Sequence, residues 1–174
     1  MRPDGFRVGL GFDAHRLGGP PPLRLAGVEV DVTQGLIGTS DGDVAAHAVA
    51  DAMLGAGALG DLGTHFPSRD AEWKGADSMA LLARVVEMVA EAGMRVGNID
   101  LTVIAETVRV APFRERMRRE LADALDVEPG RVSVKATTTD GMGFTGRGEG
   151  VAAWATVLLM GGTAPAGPSS SPPS

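Results

Sequence analysis

The stretch Val151-Ala152-Ala153-Trp154-Ala155-Thr156-Val157-Leu158-Leu159-Met160 decides the fold. It carries no charge, and its apolar groups fall at odd and even positions alike. A strand alternates its side chains between two faces, so this one is apolar on both and reads as the centre of a sheet. It is about half the length that a helix needs to span a bilayer. Working outward, residues 6–12, 23–30, 99–105 and 131–137 read as further strands, with Gly18-Gly19 and Pro20, Pro21 and Pro22 marking a loop between the first two. Residues 42–59 are alanine-rich, with Val44, Val49, Met53 and Leu54 as larger groups, and read as a helix capped by Ser40 or Asp41. Met79, Leu82, Val85, Val86 and Val89 keep helical spacing from a cap at Asp77 or Ser78 to a stop at Gly93. Pro112 opens a charged helix in which Met117, Leu121 and Leu125 recur every fourth residue. Strands alternating with helices in one short chain predict an α/β (α+β) fold, a two-layer sandwich of a mixed sheet with helices on one face. The other apolar face then needs a cover, and a second copy of the chain is the simplest one.

The 174 residues fit one domain, placed at 1–161. Residues 162–174 hold glycine, proline, alanine, serine and threonine without charge, and read as a disordered tail. Sixteen basic against 22 acidic side chains leave a charge of −6 with no basic stripe, so nucleic acid is not an expected partner. The absence of cysteine excludes disulfides, thiolate catalysis and any cysteine-built metal site. A metal would have to sit on carboxylates and the three histidines. The start carries Arg2 and Asp4 and no apolar run, so no signal peptide and a cytoplasmic protein are expected, with no membrane partner.

Asp13 and His15 stand two apart at the end of the first strand and therefore point to one side. His47 lies one turn into the alanine-rich helix, among side chains too small to satisfy its ring nitrogens. Asp, His and His make a zinc set of the open type, with a fourth position for water or a substrate oxygen. Equally, Asp13 reads as a turn residue and His47 as a core histidine bonded to Asp43 or Asp51. Ser40-Asp41-Gly42-Asp43 leads into a helix N-terminus that suits an anion, and Asp61-Leu62-Gly63 suits sugar hydroxyls, although both also read as caps and turns. Thr137-Thr138-Thr139-Asp140 ends a strand with three hydroxyls and a carboxylate, a set for phosphate oxygens and a hard divalent cation or simply a polar turn.

Five motifs occur in order: Phe12-Asp13-Ala14-His15-Arg16, the Ser40-to-Ala48 stretch SDGDVAAHA, Gly60-Asp61-Leu62-Gly63, the Lys135-to-Asp140 stretch KATTTD, and the Gly143-to-Gly150 stretch GFTGRGEG. Together they resemble the 2-C-methyl-D-erythritol 2,4-cyclodiphosphate synthase family over residues 7–160. The resemblance implies a lyase of non-mevalonate isoprenoid synthesis. Its reaction cyclises 4-diphosphocytidyl-2-C-methyl-D-erythritol 2-phosphate and releases CMP. Other readings are a slow paralogue that binds CDP-type or isoprenoid diphosphate ligands, and a metal phosphohydrolase.

Carried over motif by motif, the resemblance makes Asp13, His15 and His47 zinc ligands and gives Asp140 a magnesium or manganese ion. Asp13, His15 and Ser40 would also touch the substrate. Thr138 matches a threonine that donates to the diphosphate, flanked by Thr139. Asp61, Leu62 and Gly63 match the segment near the methylerythritol, and Phe66, Pro67, Ser68, Arg69 and Asp70 the loop after it. Ala105, Arg109, Ala111 and Thr137 resemble the cytidine pocket. Phe144 and Arg147 match substrate contacts near the end of the chain. The resemblance further implies a homotrimer with active sites between subunits, and a central cavity near Phe12, Arg147 and Glu149 that takes isoprenoid diphosphates in some members. Thr39 stands where the family usually has a histidine that stabilises the transition state. Ser68 replaces the first acid of the loop, and Val108 and Phe113 depart from the usual pattern around the cytidine pocket.

Overall fold

A computed structural model describes residues 5–30, 33–38, 40–73 and 75–161. The chain runs β1 (Phe6–Gly19), β2 (Leu23–Leu25), β3 (Val28–Val30), β4 (Gly35–Ile37), α1 (Val44–Gly57), α2 (Leu62–His65), α3 (Ser78–Glu91), β5 (Met94–Ile104), α4 (Arg114–Ala124), β6 (Val132–Thr137), α5 (Gly143–Gly146) and β7 (Gly150–Gly161). Five strands form one sheet in the order β4-β1-β7-β5-β6. β7 lies at its centre, antiparallel to β1 and to β5, while β5 and β6 run parallel and are joined through α4. The mixed sheet expected from residues 151–160 is present. Among the described residues, no helix is long and apolar enough to cross a membrane.

Helices cover one face only. On that face Ala153, Ala155, Val157 and Leu159 of β7 and Leu101 and Val103 of β5 are fully buried. α1 lies against β1 because Gly9 and Gly11 have no side chains there. A Cβ on Gly11 would stand 2.0 Å from the Ala48 carbonyl oxygen, and one on Gly9 1.9 Å from that of Ala52. The opposite face carries Phe6, Val8, Leu10 and Phe12 of β1 and Trp154 of β7, all exposed, with the Phe12 and Trp154 rings 5.5 Å apart. A contiguous exposed apolar surface of this kind is the general mark of an interaction site.

Several boundaries differ from the sequence reading. β1 continues through Asp13 and His15 to Gly19, because β7 pairs with it as far as Arg16 and β4 beyond that. Residues 23–30 are not one strand but a separate hairpin. Ala26 and Gly27 both take positive φ (51° and 75°), the turn that matches the twist of two short strands. Pro112 lies in a 3-10 turn over Ala111–Phe113, and α4 starts at Arg114. The strand at Gly35–Ile37 and the short helices α2 and α5 carry too little periodicity to be read from sequence. The tail placed at 162–174 lies outside the described residues, as does Thr39.

The cap of α1 is Asp43, in place of Ser40 or Asp41. Its carboxylate is fully buried and accepts from four backbone N–H groups: Ala45 and Ala46 in the first turn of α1, and Ala26 and Gly27 in the hairpin turn, at 2.7–3.1 Å. Replacing Asp43 with Ala removes the cap and leaves buried donors unpaired. The expected cost is about 3 kcal/mol, read as a lower urea midpoint at unchanged m value. A loss under about 1 kcal/mol would show that water replaces the carboxylate.

Candidate active site

Because β1 is extended, Asp13 and His15 project to the same side. α1 passes over Gly11 at Ala48, so His47, one residue earlier, meets them from above. Asp13 Oδ2 lies 3.0 Å from His15 Nε2 and 2.9 Å from His47 Nδ1, and the two nitrogens are 3.2 Å apart. Tetrahedral bonds of about 2.0–2.1 Å place neighbouring ligand atoms about 3.3 Å apart, which is the size of this triangle. The donor set, two imidazole nitrogens and one carboxylate oxygen, therefore fits a tetrahedral divalent cation. It is the only group of three or more such side chains that converges among the described residues. The alternative for His47 is corrected: Asp43 spends its carboxylate on backbone N–H groups and Asp51 binds Leu62, so neither partners the imidazole.

Burial alone would raise the Asp13 carboxyl, but hydrogen bonds and charge from His15 and His47 outweigh it and hold it well below the usual carboxylate range. The hydrogen bond to Asp13 raises His15 above the ordinary imidazole value, against burial that lowers it. A cleft of about 220 Å³ opens beside the triangle, walled by Ser40, Asp51, Leu62, Gly63, Phe66, Ser68, Trp73 and Leu81 as well as the three ligand residues. A larger hollow of about 570 Å³ near Met94 and Arg131 holds no converging ligand set.

Asp51 is half-buried and accepts the Leu62 N–H at 2.8 Å, which ties the start of α2 to α1. Burial pushes its carboxyl up, against that hydrogen bond, and the nearby Asp61 and Asp13 push the same way. Asp61 is an N-cap, accepting from both the N–H and the hydroxyl of Thr64 at 2.8 Å. Phe66 sets its ring edge-on to Trp73, 5.1 Å away. Pro67 accepts the N–H of Asp70, and Arg69 and Asp70 are exposed. Ser40 Oγ stands 3.1 Å from His47 Nε2. Trp73, Leu81 and Ser78 gave no sequence signal beyond core or cap residues.

The other expected residues sit elsewhere on the same end of the sheet. Ala105 donates its N–H to the Thr137 carbonyl, Ala111 opens the 3-10 turn, and Arg109 is exposed in the loop before it. Thr138 Oγ1 accepts from the Asp140 N–H at 3.4 Å, and Asp140 takes a left-handed φ of 53°. Thr139 donates to the Met142 carbonyl or pairs with the buried Thr145 hydroxyl. Phe144 lies in α5, its ring 3.4 Å from where a Cβ on Gly150 would stand, and Arg147 pairs with Glu149 at 2.6 Å. In the strand order, β6 stands three places from β1, roughly 14 Å across the sheet. One chain therefore does not bring the 137–140 turn to the histidine triangle.

The sequence model of the YgbB family matches residues 6–160. The chain belongs to this family. It is 51% identical over 154 residues to the 2-C-methyl-D-erythritol 2,4-cyclodiphosphate synthase of Pelotomaculum thermopropionicum, covering 88% of this chain and 95% of the relative. Among solved structures it is similar to the bifunctional IspDF of Campylobacter jejuni, with a TM-score of 0.86 and 44% identity, over 89% of this chain and 42% of the longer one. It is also similar to the CDP complex of IspF from Plasmodium falciparum, with a TM-score of 0.80 and 26% identity, over 91% of this chain and 98% of that one. The resemblance carried by the five motifs is borne out, and the YgbB fold supplies the sheet-and-helix architecture.

Protonation of His15 competes with a metal for its nitrogen. Since Asp13 raises His15, this competition sets in above the ordinary imidazole value of 6.5 as the pH falls. Titrating the metal-free protein with Zn²⁺ between about pH 8 and about pH 5.5 should give an affinity that weakens with acid from that point. An onset below 6.5 would contradict the Asp13–His15 pairing.

Proposed function

We propose that this protein converts 4-diphosphocytidyl-2-C-methyl-D-erythritol 2-phosphate into 2-C-methyl-D-erythritol 2,4-cyclodiphosphate and CMP, a lyase step of non-mevalonate isoprenoid synthesis. One observation carries the reading: a chain half-identical to a curated synthase over nearly its whole length holds Asp13, His15 and His47 as one ligand triangle at the mouth of a cleft. In this reaction an oxygen of the 2-phosphate forms a bond to the β-phosphorus. The bond from that phosphorus to the bridging oxygen breaks, and the electron pair leaves on the α-phosphate of CMP. The attacking oxygen is already anionic, so no serine, cysteine or histidine base is needed to activate it. What the protein must do is hold two anions in line and offset their charge.

Asp13, His15 and His47 would hold zinc, and Asp140 a magnesium or manganese ion; bound there, the two cations polarise the phosphates and neutralise the charge that develops. Thr138 would donate its hydroxyl to the diphosphate, beside Thr139, and Thr39 would make the contact that a histidine makes in most of the family. Asp61, Leu62 and Gly63 would face the methylerythritol, with Ser40 beneath it and Phe66, Pro67, Ser68, Arg69 and Asp70 closing over it. Ala105, Arg109, Ala111 and Thr137 would hold the cytidine, and Phe144 and Arg147 would complete the contacts.

A homotrimer with sites between subunits reconciles these roles with the separation of the 137–140 turn from the histidines. The exposed row Phe6, Val8, Leu10, Phe12 and Trp154 supports it, since association would bury that apolar area. Phe12 and the Arg147–Glu149 pair would then border a central cavity suited to an isoprenoid diphosphate. A cytoplasmic location belongs to the same reading.

Incubation with the substrate, followed by phosphorus NMR, should yield CMP and the cyclic diphosphate, and His47→Ala should abolish nearly all turnover. CMP with an acyclic product would indicate a phosphohydrolase instead, and saturable binding without turnover a ligand-binding paralogue. Light scattering coupled to size exclusion should give about three chain masses. An active monomer would overturn the shared site.

A further inference from the structure

The His47 imidazole uses both nitrogens. Nδ1 faces the Asp13 carboxylate and His15, while Nε2 lies 2.9 Å from Ser78 Oγ. Ser78 is the first residue of α3, and its hydroxyl is buried. That hydroxyl is not needed to cap the helix, because Asp77 does so by accepting the Met79 N–H. Instead it meets the carboxylate of Asp41, which also accepts the Ser78 backbone N–H at 3.3 Å. Asp41 is anchored in turn, its own N–H donating to the Ala76 carbonyl and its carboxylate accepting from Asp43 N–H.

These contacts have a direction. An ionised carboxylate only accepts, so Ser78 must donate its proton to Asp41. Ser78 Oγ is then left with lone pairs toward His47, and Nε2 must carry the hydrogen that they accept. The Asp13 carboxylate, 2.9 Å from Nδ1, draws a hydrogen to that nitrogen, and the Ser78 acceptor opposes it by holding one on Nε2, so that Nδ1 can offer its lone pair to a cation in the triangle. Ser40 Oγ, 3.1 Å from Nε2 and 3.2 Å from Ser78 Oγ, is a second acceptor at the same place but has no carboxylate behind it in these contacts.

We propose that Asp41 and Ser78 form a positioning relay that fixes the His47 tautomer and presents Nδ1 to the metal. The relay joins the loop before α1 to the start of α3, so the ring is held by two elements besides its own. It rests on the reading of Asp13, His15 and His47 as a metal site. Removing such an outer partner weakens metal binding about 10- to 100-fold in general.

The test uses the full chain, zinc chloride and a chromogenic zinc chelator as competitor. Ser78→Ala should weaken zinc binding by about 10- to 100-fold, and Asp41→Asn in the same direction by a smaller factor, since an amide oxygen still accepts from Ser78. Nitrogen NMR of ¹⁵N-histidine-labelled, metal-free protein should show a hydrogen on His47 Nε2 in the parent and a shift of that hydrogen toward Nδ1, where Asp13 accepts it, in Ser78→Ala. A merely structural role would not move that signature. If the parent takes no zinc from the chelator, the metal reading fails and the relay with it. If the parent binds zinc and Ser78→Ala binds equally well, or binds less well with its tautomer unchanged, the relay alone is overturned.

Discussion

The buried carboxylate of Asp43 is the contact on which the arrangement depends. It gathers N–H groups from a hairpin turn and from the first turn of a helix, two elements that otherwise share little. Burial pushes the carboxyl toward its neutral form, and the N–H donors from Gly27, Ala46 and Ala26 pull against that. Burial outweighs them, so the carboxyl stands above its ordinary value. Since His47 donates its backbone N–H to the Asp43 carbonyl, fixing the helix start also fixes where the imidazole emerges. Gly9 and Gly11 complete the constraint by letting α1 rest on β1, so that a ring from the helix reaches a carboxylate on the strand.

The same end of the sheet carries two chemistries on two strands, β1 and β6. Imidazoles and carboxylates lie over β1, where soft and hard ligands can share a small tetrahedral ion. Hydroxyls and the Asp140 carboxylate end β6, where oxygen ligands suit a hard cation. Three strand positions separate them. On the proposed reading, a substrate with a diphosphate, a further phosphate and a nucleoside would draw on both places, which a single chain holds apart. The uncovered apolar row on β1 and β7 lies on the opposite face of the sheet, and on the proposed reading its burial would drive association.

Much was legible in the residues because it rests on local rules. The two-sided apolar run at 151–160 placed a central strand, the fourfold spacing of Met117, Leu121 and Leu125 placed α4, and Asp13 with His15 two apart on a strand had to face one side. The absence of cysteine restricted any metal to carboxylates and the three histidines, two of which do converge with Asp13. What misled was equally local. Ser40, Asp41 and Asp43 are all good caps, and the choice among them depended on a hairpin turn 16 residues away from Asp43, with unpaired N–H groups.

Sequence by itself determined the type of the longer elements, the family and the identity of the candidate ligands, because periodicity, composition and ordered motifs are written along the chain. Tertiary structure alone decided that His47 meets Asp13 and not Asp43 or Asp51, since that depends on the register of α1 over Gly9 and Gly11. It alone brought Ser78 and Asp41 behind the imidazole, two polar residues that local rules assign to a helix start. It also set the 137–140 turn apart from the histidines, because strand order in a sheet is fixed by pairing across the whole domain and not by distance along the chain.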